Sequence, residues 1–163
     1  IKLVGMSERA ENGAYARVCP VILKKDHPLA GIDDVFNGIL VKGDALGDVM
    51  FYGRGAGSLP TASAVVSDVV DIIKHKHTHI VLGWTEGEPG YLLDADDQAF
   101  RMYVRISGSS DSAAFNVITL DGEKYANEFA IFTPKMTGKE FKKFKENELS
   151  NYDIKGSIRL VTD

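Results

Sequence analysis

The chain has 163 residues, of which 44% are hydrophobic and 26% are charged, and its formal net charge is −4. This length suffices for one medium domain or two small ones. The mildly acidic charge does not favour binding to nucleic acid. No apolar run approaches the roughly 20 residues that span a bilayer. The single cysteine excludes an internal disulfide and indicates a reducing compartment, such as the cytoplasm.

The first third of the chain is expected to form two antiparallel pairs of strands. Residues 15–23 mix β-branched and aromatic side chains, and residues 11–13 before them have the composition of a hairpin turn. A second pair is predicted at residues 39–41 and 49–52. The polar, glycine-containing loop at residues 43–47 joins that pair, and a connection this short favours antiparallel strands.

A glycine cluster at residues 53–57 precedes a helix that is predicted over residues 60–76. Pro60 suits the first helical turn, and Ser58 is predicted to cap it. Such a turn offers unpaired N–H donors and a positive dipole end, which suit a phosphate, a carboxylate or an amide. A tight turn that only packs a helix on a strand explains the same pattern equally well. The apolar residues follow the helical period: Ala62, Val65, Val66, Val69, Val70 and Ile73.

Residues 83–99 combine turn formers with acidic side chains and are predicted to be a linker. In the last third, Asp121 and Gly122 indicate a hairpin turn. Thr137 and Glu140 have the spacing of a capping box at the start of a second helix. Strands are predicted at residues 100–106, 115–120, 125–133 and 158–161.

Two groups of potential metal ligands are present: His75, His77 and His79, and Asp94, Asp96 and Asp97. The histidines would share a face on a strand, but a helix end followed by a turn leaves them exposed and unliganded. The aspartates match the start of a calcium loop but lack its later glycine and bidentate glutamate, so a solvated linker is favoured. Cys19 is predicted to be a buried small residue rather than a nucleophile. No metal site is predicted.

Residues 52–68 resemble the segment of homoserine dehydrogenases in which a GxGAG turn and a PTA-type helix start follow a tyrosine-ended strand. Residues 27–30, Asn37 and residues 43–44 are similar to the same family. The resemblance covers residues 1–76 and continues to the C-terminus, where many bacterial members carry an ACT regulatory domain. It implies a cytoplasmic, dimeric enzyme that interconverts L-homoserine and L-aspartate 4-semialdehyde with NAD(P)(H), in threonine, methionine and isoleucine biosynthesis.

The fold implied by the resemblance is α+β. Residues 1–82 would form an antiparallel sheet with one long helix, as the end of the catalytic and dimerisation region. Residues 83–99 would be the linker, and residues 100–163 a small ACT-like, ferredoxin-like domain. Only residues 107–114 are available for the first ACT helix and its effector-binding turn. A degenerate module that packs or dimerises without binding threonine is therefore the alternative to a threonine sensor.

By resemblance, Gly57 and Thr61 contact the NAD(P) cofactor, the first by its backbone and the second by its hydroxyl, and Gly55 and Ala56 are further candidates. The family's Rossmann domain, catalytic lysine and substrate-binding carboxylates lie upstream, so no catalytic residue is predicted here. A chain that opens on Ile1 indicates a piece of a longer protein.

This piece alone is expected to be inactive and to hold no cofactor. It is also expected to expose apolar surface on its first helix and to self-associate. The alternative function is a non-catalytic ACT-like module that dimerises or binds an amino acid.

Overall fold

The computed structural model describes residues 1–78, 83–108, 117–120, 125 and 127–161. No helix in this described part is both long and apolar enough to cross a membrane. The described strands are β1 (Lys2–Ala10), β2 (Gly13–Ile22), β3 (Phe36–Gly43), β4 (Gly47–Arg54), β5 (Arg101–Ser107), β6 (Val117–Thr119), β7 (Glu128–Phe132) and β8 (Asp153–Leu160). The helices are α1 (Ser58–Lys74) and α2 (Gly138–Asn147), with a 3-10 turn at Ala95–Asp97.

The chain divides into two compact units. Unit 1 contains Ile1–Lys24 and Gly87–Asp163, and unit 2 contains Lys25–Glu86. Together the elements make an α+β fold with a mostly antiparallel sheet, as predicted. The division differs from the predicted domain limits, because β1 and β2 belong to the same unit as the last third of the chain.

In unit 1, the described strands form one six-stranded sheet in the order β1-β2-β8-β5-β7-β6. Neighbouring strands are antiparallel except β2 and β8, which run parallel and pair through Val21 with Arg159 and Ile22 with Leu160. This short parallel contact joins the first hairpin to the last strand. Strand pairing between distant segments leaves no local sequence pattern. The prediction therefore placed the first hairpin in the same domain as the segments that follow it in the chain.

The core of unit 1 follows from the alternation of strand side chains. In β5, Met102, Val104 and Ile106 are buried, while the residues between them are partly exposed. Phe129 from β7 and Phe141 from α2 pack into the same cluster. These residues give unit 1 a hydrophobic core of its own.

Most of the predicted linker belongs to unit 1, where it forms hydrogen bonds with β2. The Ala14 N–H donates to the Tyr91 carbonyl at 2.9 Å, and the Leu93 N–H donates to the Ala14 carbonyl at 2.9 Å. Gly13 allows this approach, because a Cβ there would lie 2.3 Å from the Tyr91 carbonyl oxygen. Residues 91–93 therefore pair with the start of β2 through Ala14. The composition of the predicted linker did not indicate this pairing.

The predicted elements of the last third are present with some changes at their ends. The capping box at Thr137 and Glu140 is confirmed. Strand β8 begins at Asp153, five residues before the predicted start at residue 158. The predicted turn at Asp121 and Gly122, and most of the segment where the first ACT helix was sought, lie outside the described residues.

Candidate functional site

The turn between β4 and α1 is the first candidate site, and its conformation depends on glycine. Gly57 has φ 118° and ψ 157°, in the region that side chains with a Cβ rarely adopt, and it is the N-cap of α1. Ser58 was predicted to cap the helix, and this was wrong. The helix begins at Ser58, and no side chain caps its first turn.

The first turn of α1 leaves two backbone donors available. The Thr61 N–H donates to the Gly57 carbonyl at 3.1 Å, and Pro60 has no N–H. The N–H groups of Ser58 and Leu59 therefore have no partner within the helix, as expected for helix starts. Gly57 and Thr61 are exposed, so this end of the helix is open to a ligand. The positive end of the helix dipole adds to the attraction for an anion.

Gly55 has a packing role besides any contact with a ligand. A Cβ at this position would lie 2.4 Å from Nδ2 and 3.0 Å from Cγ of Asn37. Asn37 belongs to β3, so two parts of the sequence that carried the family resemblance meet at this turn. Ala56, the fourth predicted residue, is exposed between the two glycines.

An aromatic and cationic group lies beside the turn, and the sequence reasoning missed most of it. The rings of Phe36 and Tyr52 are stacked, with centroids 4.9 Å apart and planes 10° apart. The Arg54 guanidinium lies 5.3 Å from the Phe36 ring centroid. Phe36 pairs with Arg54 in the ladder, so the alternation of side chains along β3 and β4 was the available signal. Arg54 places a positive charge next to Gly55.

A compact turn before β3 explains part of the upstream resemblance. The Leu29 N–H donates to Nδ1 of His27 at 3.1 Å, and the Ala30 N–H donates to the His27 carbonyl at 2.8 Å. A Cβ on Gly38 would lie 2.0 Å from Cδ1 of Ile32, so glycine lets this turn pack on β3. These contacts lie within the turn before β3 and between that turn and β3, the strand that carries Asn37.

Among the described residues, the potential metal ligands do not come together as a site. In the described part of the chain, no group of three or more His, Cys, Asp or Glu side chains is arranged to hold a metal ion. His75 is the C-cap of α1, and its Nδ1 lies 3.1 Å from Oδ1 of Asp71. His79 lies outside the described residues. Asp94 caps the 3-10 turn, and Asp97 pairs with Lys139 at 2.5 Å.

Comparison with known proteins identifies the family. Residues 1–70 match the family model described as homoserine dehydrogenase. A homoserine dehydrogenase of Bacillus subtilis is 30% identical over 165 residues, covering 99% of this chain and 35% of that protein. One from Synechocystis is 67% identical over 57 residues, covering 35% of this chain and 13% of that protein.

The fold gives the same result. The crystal structure of a homoserine dehydrogenase from Thiobacillus denitrificans superposes with a TM-score of 0.74 at 26% identity, covering 98% of this chain and 42% of that one. The chain thus spans less than half the length of these relatives. It belongs to the homoserine dehydrogenase family and corresponds to one part of such a protein.

Proposed function

We propose that the protein containing this chain interconverts L-homoserine and L-aspartate 4-semialdehyde with NAD(P)(H), in amino-acid biosynthesis in the cytoplasm. The observation that carries the proposal is the uncapped start of α1 behind Gly57, in a chain that belongs to this family. The catalytic residues are expected upstream of this chain. When bound, the nicotinamide cofactor supplies the hydride chemistry, and the protein supplies position and electrostatics.

The residues of the turn fit a dinucleotide. The exposed start of α1 offers the N–H groups of Ser58 and Leu59, and Gly57 has no Cβ to keep a ligand away. In our proposal Gly57 contacts the cofactor by its backbone and Thr61 by its hydroxyl, with Gly55 and Ala56 beside them. Ligand binding and tight packing, the two explanations of the glycine cluster, are compatible. Gly55 serves the packing against Asn37, while Gly57 leaves the helix start open.

The test uses the full-length protein and the variants Gly57→Ala and Thr61→Val. Thr61→Val should raise the KM for the cofactor about fivefold, because one hydrogen bond corresponds to about 1 kcal/mol. Gly57→Ala should also raise it, because a residue with a Cβ rarely adopts φ 118° and the added methyl group would stand at the open helix start. The KM for homoserine should change less in both variants. Ser67→Ala, an exposed substitution further along α1, is the matched control. Unchanged cofactor KM values in both variants would contradict the assignment. A full-length protein that does not oxidise homoserine would contradict the function.

We also infer that residues 100–163 form an ACT-like module, and the strand order supports this. Strands β7 and β8 flank α2 in the sequence, yet β5 lies between them in the sheet, which is the arrangement of a split βαβ unit. All described pairs among β5–β8 are antiparallel. The alternative function, a non-catalytic dimerisation module, rests on the same strand order.

Threonine is not the expected ligand of this module. The segment available for the first ACT helix and its effector turn is short and polar. We therefore expect no saturable heat when threonine is titrated into the chain, and a saturable isotherm would show the opposite. Assembly as a homodimer is part of the same proposal, and the exposed apolar residues of α1 support it.

A further inference from the structure

The hairpin turn between β1 and β2 carries a reactive dipeptide that the proposed dehydrogenase function does not use. Asparagine followed by glycine occurs at two places in the sequence, Asn12–Gly13 and Asn37–Gly38. In this dipeptide the backbone nitrogen of glycine can attack the asparagine side chain, because glycine has no Cβ to hinder the approach. The two copies lie in different backbone environments, so we expect them to differ in reactivity.

Asn12 has the environment that favours this reaction. Pairing in the β1–β2 ladder stops at Ala10 and Gly13, so Asn12 lies in the short connection between the strands, outside the ladder. It is exposed, so solvent base and water reach its side chain. Ring closure needs a rotation of the Asn12 backbone, and the exposed tip of a turn is where such a rotation costs least.

Asn37 has the opposite backbone environment. It lies inside β3 and pairs with Gly53. Gly38 pairs with Tyr52, and the ladder continues on both sides of these pairs. The ladder holds the backbone extended, which keeps the Gly38 nitrogen away from its position of attack on the Asn37 side chain. Asn37 is also exposed, so it is an internal control in which backbone freedom differs and solvent access does not.

We propose that Asn12 is a site of spontaneous deamidation, which converts its side-chain amide into a carboxylate. The Gly13 nitrogen loses its proton to solvent base and forms a bond to Cγ of Asn12. The bond from Cγ to Nδ2 breaks, and the amide nitrogen leaves as ammonia after taking a proton from solvent. Water then opens the cyclic succinimide. Cleavage of the new bond to Cγ gives aspartate, whereas cleavage of the original peptide bond gives isoaspartate, in which the main chain passes through Cβ and Cγ.

The isoaspartate product disturbs a closely packed part of unit 1. It adds a methylene group to the main chain directly before Gly13, which is buried. Gly13 lies so close to the Tyr91 carbonyl that a Cβ would not fit between them. The Ala14 N–H donates to that same carbonyl, and the Ala14 carbonyl accepts from the Leu93 N–H, both at 2.9 Å. We therefore expect the longer main chain to weaken the pairing of residues 91–93 with β2.

The test incubates the full-length protein in mildly alkaline buffer and follows both asparagines by peptide mass spectrometry. Asn12 should convert about tenfold faster than Asn37 or more, because ladder pairs must open before Asn37 reacts. The rate at Asn12 should rise with pH, since the Gly13 nitrogen must lose a proton. An isoaspartate methyltransferase should label the peptide that contains Asn12. Equal conversion at the two sites, or no conversion at Asn12, would overturn the proposal.

Two variants separate the longer main chain from the added charge. Asn12→Gln keeps an amide but closes a larger ring far more slowly, so the isoaspartate label should be lost. Asn12→Asp adds the charge with a normal main chain, and it should leave hydrogen exchange at the Ala14 and Leu93 amides unchanged. The isoaspartate form, separated by chromatography, should exchange these amides about fivefold faster or more, the factor that corresponds to one hydrogen bond. Unchanged exchange in that form would overturn the proposed effect on unit 1.

Discussion

The sheet of unit 1 and helix α1 of unit 2 are both rich in branched apolar residues, but they bury them to opposite extents. Val104, Ile106 and Ile131 in β5 and β7 are 0% exposed, whereas α1 has no buried residue. On α1, Val66 and Ile73 are 61% and 67% exposed. The buried face of the sheet is thus covered by other residues of the same chain, such as Phe141 of α2. The helix has the composition of an element that another surface covers, in a chain that spans only part of its relatives.

The strongest test of this difference substitutes one phenylalanine in each unit, in β7 of unit 1 and in β4 of unit 2. Phe129→Ala should destabilise unit 1 by about 3–5 kcal/mol, because it opens a cavity in a packed core. Phe129 is 2% exposed and its ring meets that of Tyr152 edge-on, with centroids 6.0 Å apart. Phe51→Ala is the control, since Phe51 is 63% exposed, and its cost should stay within about 0.5 kcal/mol. Amide hydrogen exchange in β5 reports the stability of unit 1 directly. Similar losses in both variants would mean that unit 1 has no core of its own.

A second prediction concerns the one polar side chain among the buried residues described for unit 1. Thr133 is 1% exposed, and its hydroxyl accepts from the Met102 N–H and donates to the Pro134 carbonyl, both at 2.9 Å. Thr133→Val keeps the shape but leaves both backbone groups without this partner. We expect a loss of about 1–3 kcal/mol, measured by urea denaturation. Thr133→Ser keeps the hydroxyl and is the control. A stable valine variant would show that water replaces these bonds.

Local patterns predicted the elements of both regions well. The alternation of side chains along the strand predicted β5, and the helical period of the apolar residues predicted α1. The spacing of Thr137 and Glu140 predicted the capping box. Each of these signals lies within a few residues of the chain. They depend on backbone geometry that a short segment determines by itself.

What the sequence did not show depends on contacts between distant segments. The pairing of β2 with β8 rests on two residue pairs, and the docking of residues 91–93 rests on backbone hydrogen bonds that side chains do not encode. At the candidate site, the glycines were found from composition, whereas the contact of Gly55 with Asn37 needed the fold. The wrong assignment of Ser58 as the cap came from preferring a side-chain cap to a glycine at the N-cap.

A third prediction uses the capping box of α2, which α1 lacks. Thr137→Ala should cost about 1 kcal/mol, measured by thermal unfolding of unit 1. Oε2 of Glu140 accepts from the N–H of Thr137 at 2.7 Å and from its hydroxyl at 3.0 Å, and these bonds lower the pKa of Glu140.

A depressed carboxyl pKa stabilises the fold above the unfolded value of about 4.3, and this contribution is lost as the pH falls through the lower folded value. The acid limb of the stability curve should therefore be flatter in Thr137→Ala than in the unmodified chain. Ser58→Ala on α1 is the matched control, since no side chain caps that helix, and it should leave the acid limb unchanged. Equal flattening in both variants would contradict the role of the capping box.

The last prediction has the smallest expected effect on stability, and it tests what covers the exposed apolar side chains of α1. Val66→Lys should change the free energy of unfolding by no more than about 0.5 kcal/mol, because the side chain is already exposed. If the apolar surface of α1 drives association between copies, the same change should shift the chain towards monomer in sedimentation velocity. Ser67→Lys adds the same charge at the neighbouring position and should leave association unchanged. A chain that is monomeric before substitution would mean that exposed apolar surface on α1 does not suffice for self-association. The covering surface would then have to come from the remainder of the full-length protein, as the proposed dehydrogenase requires.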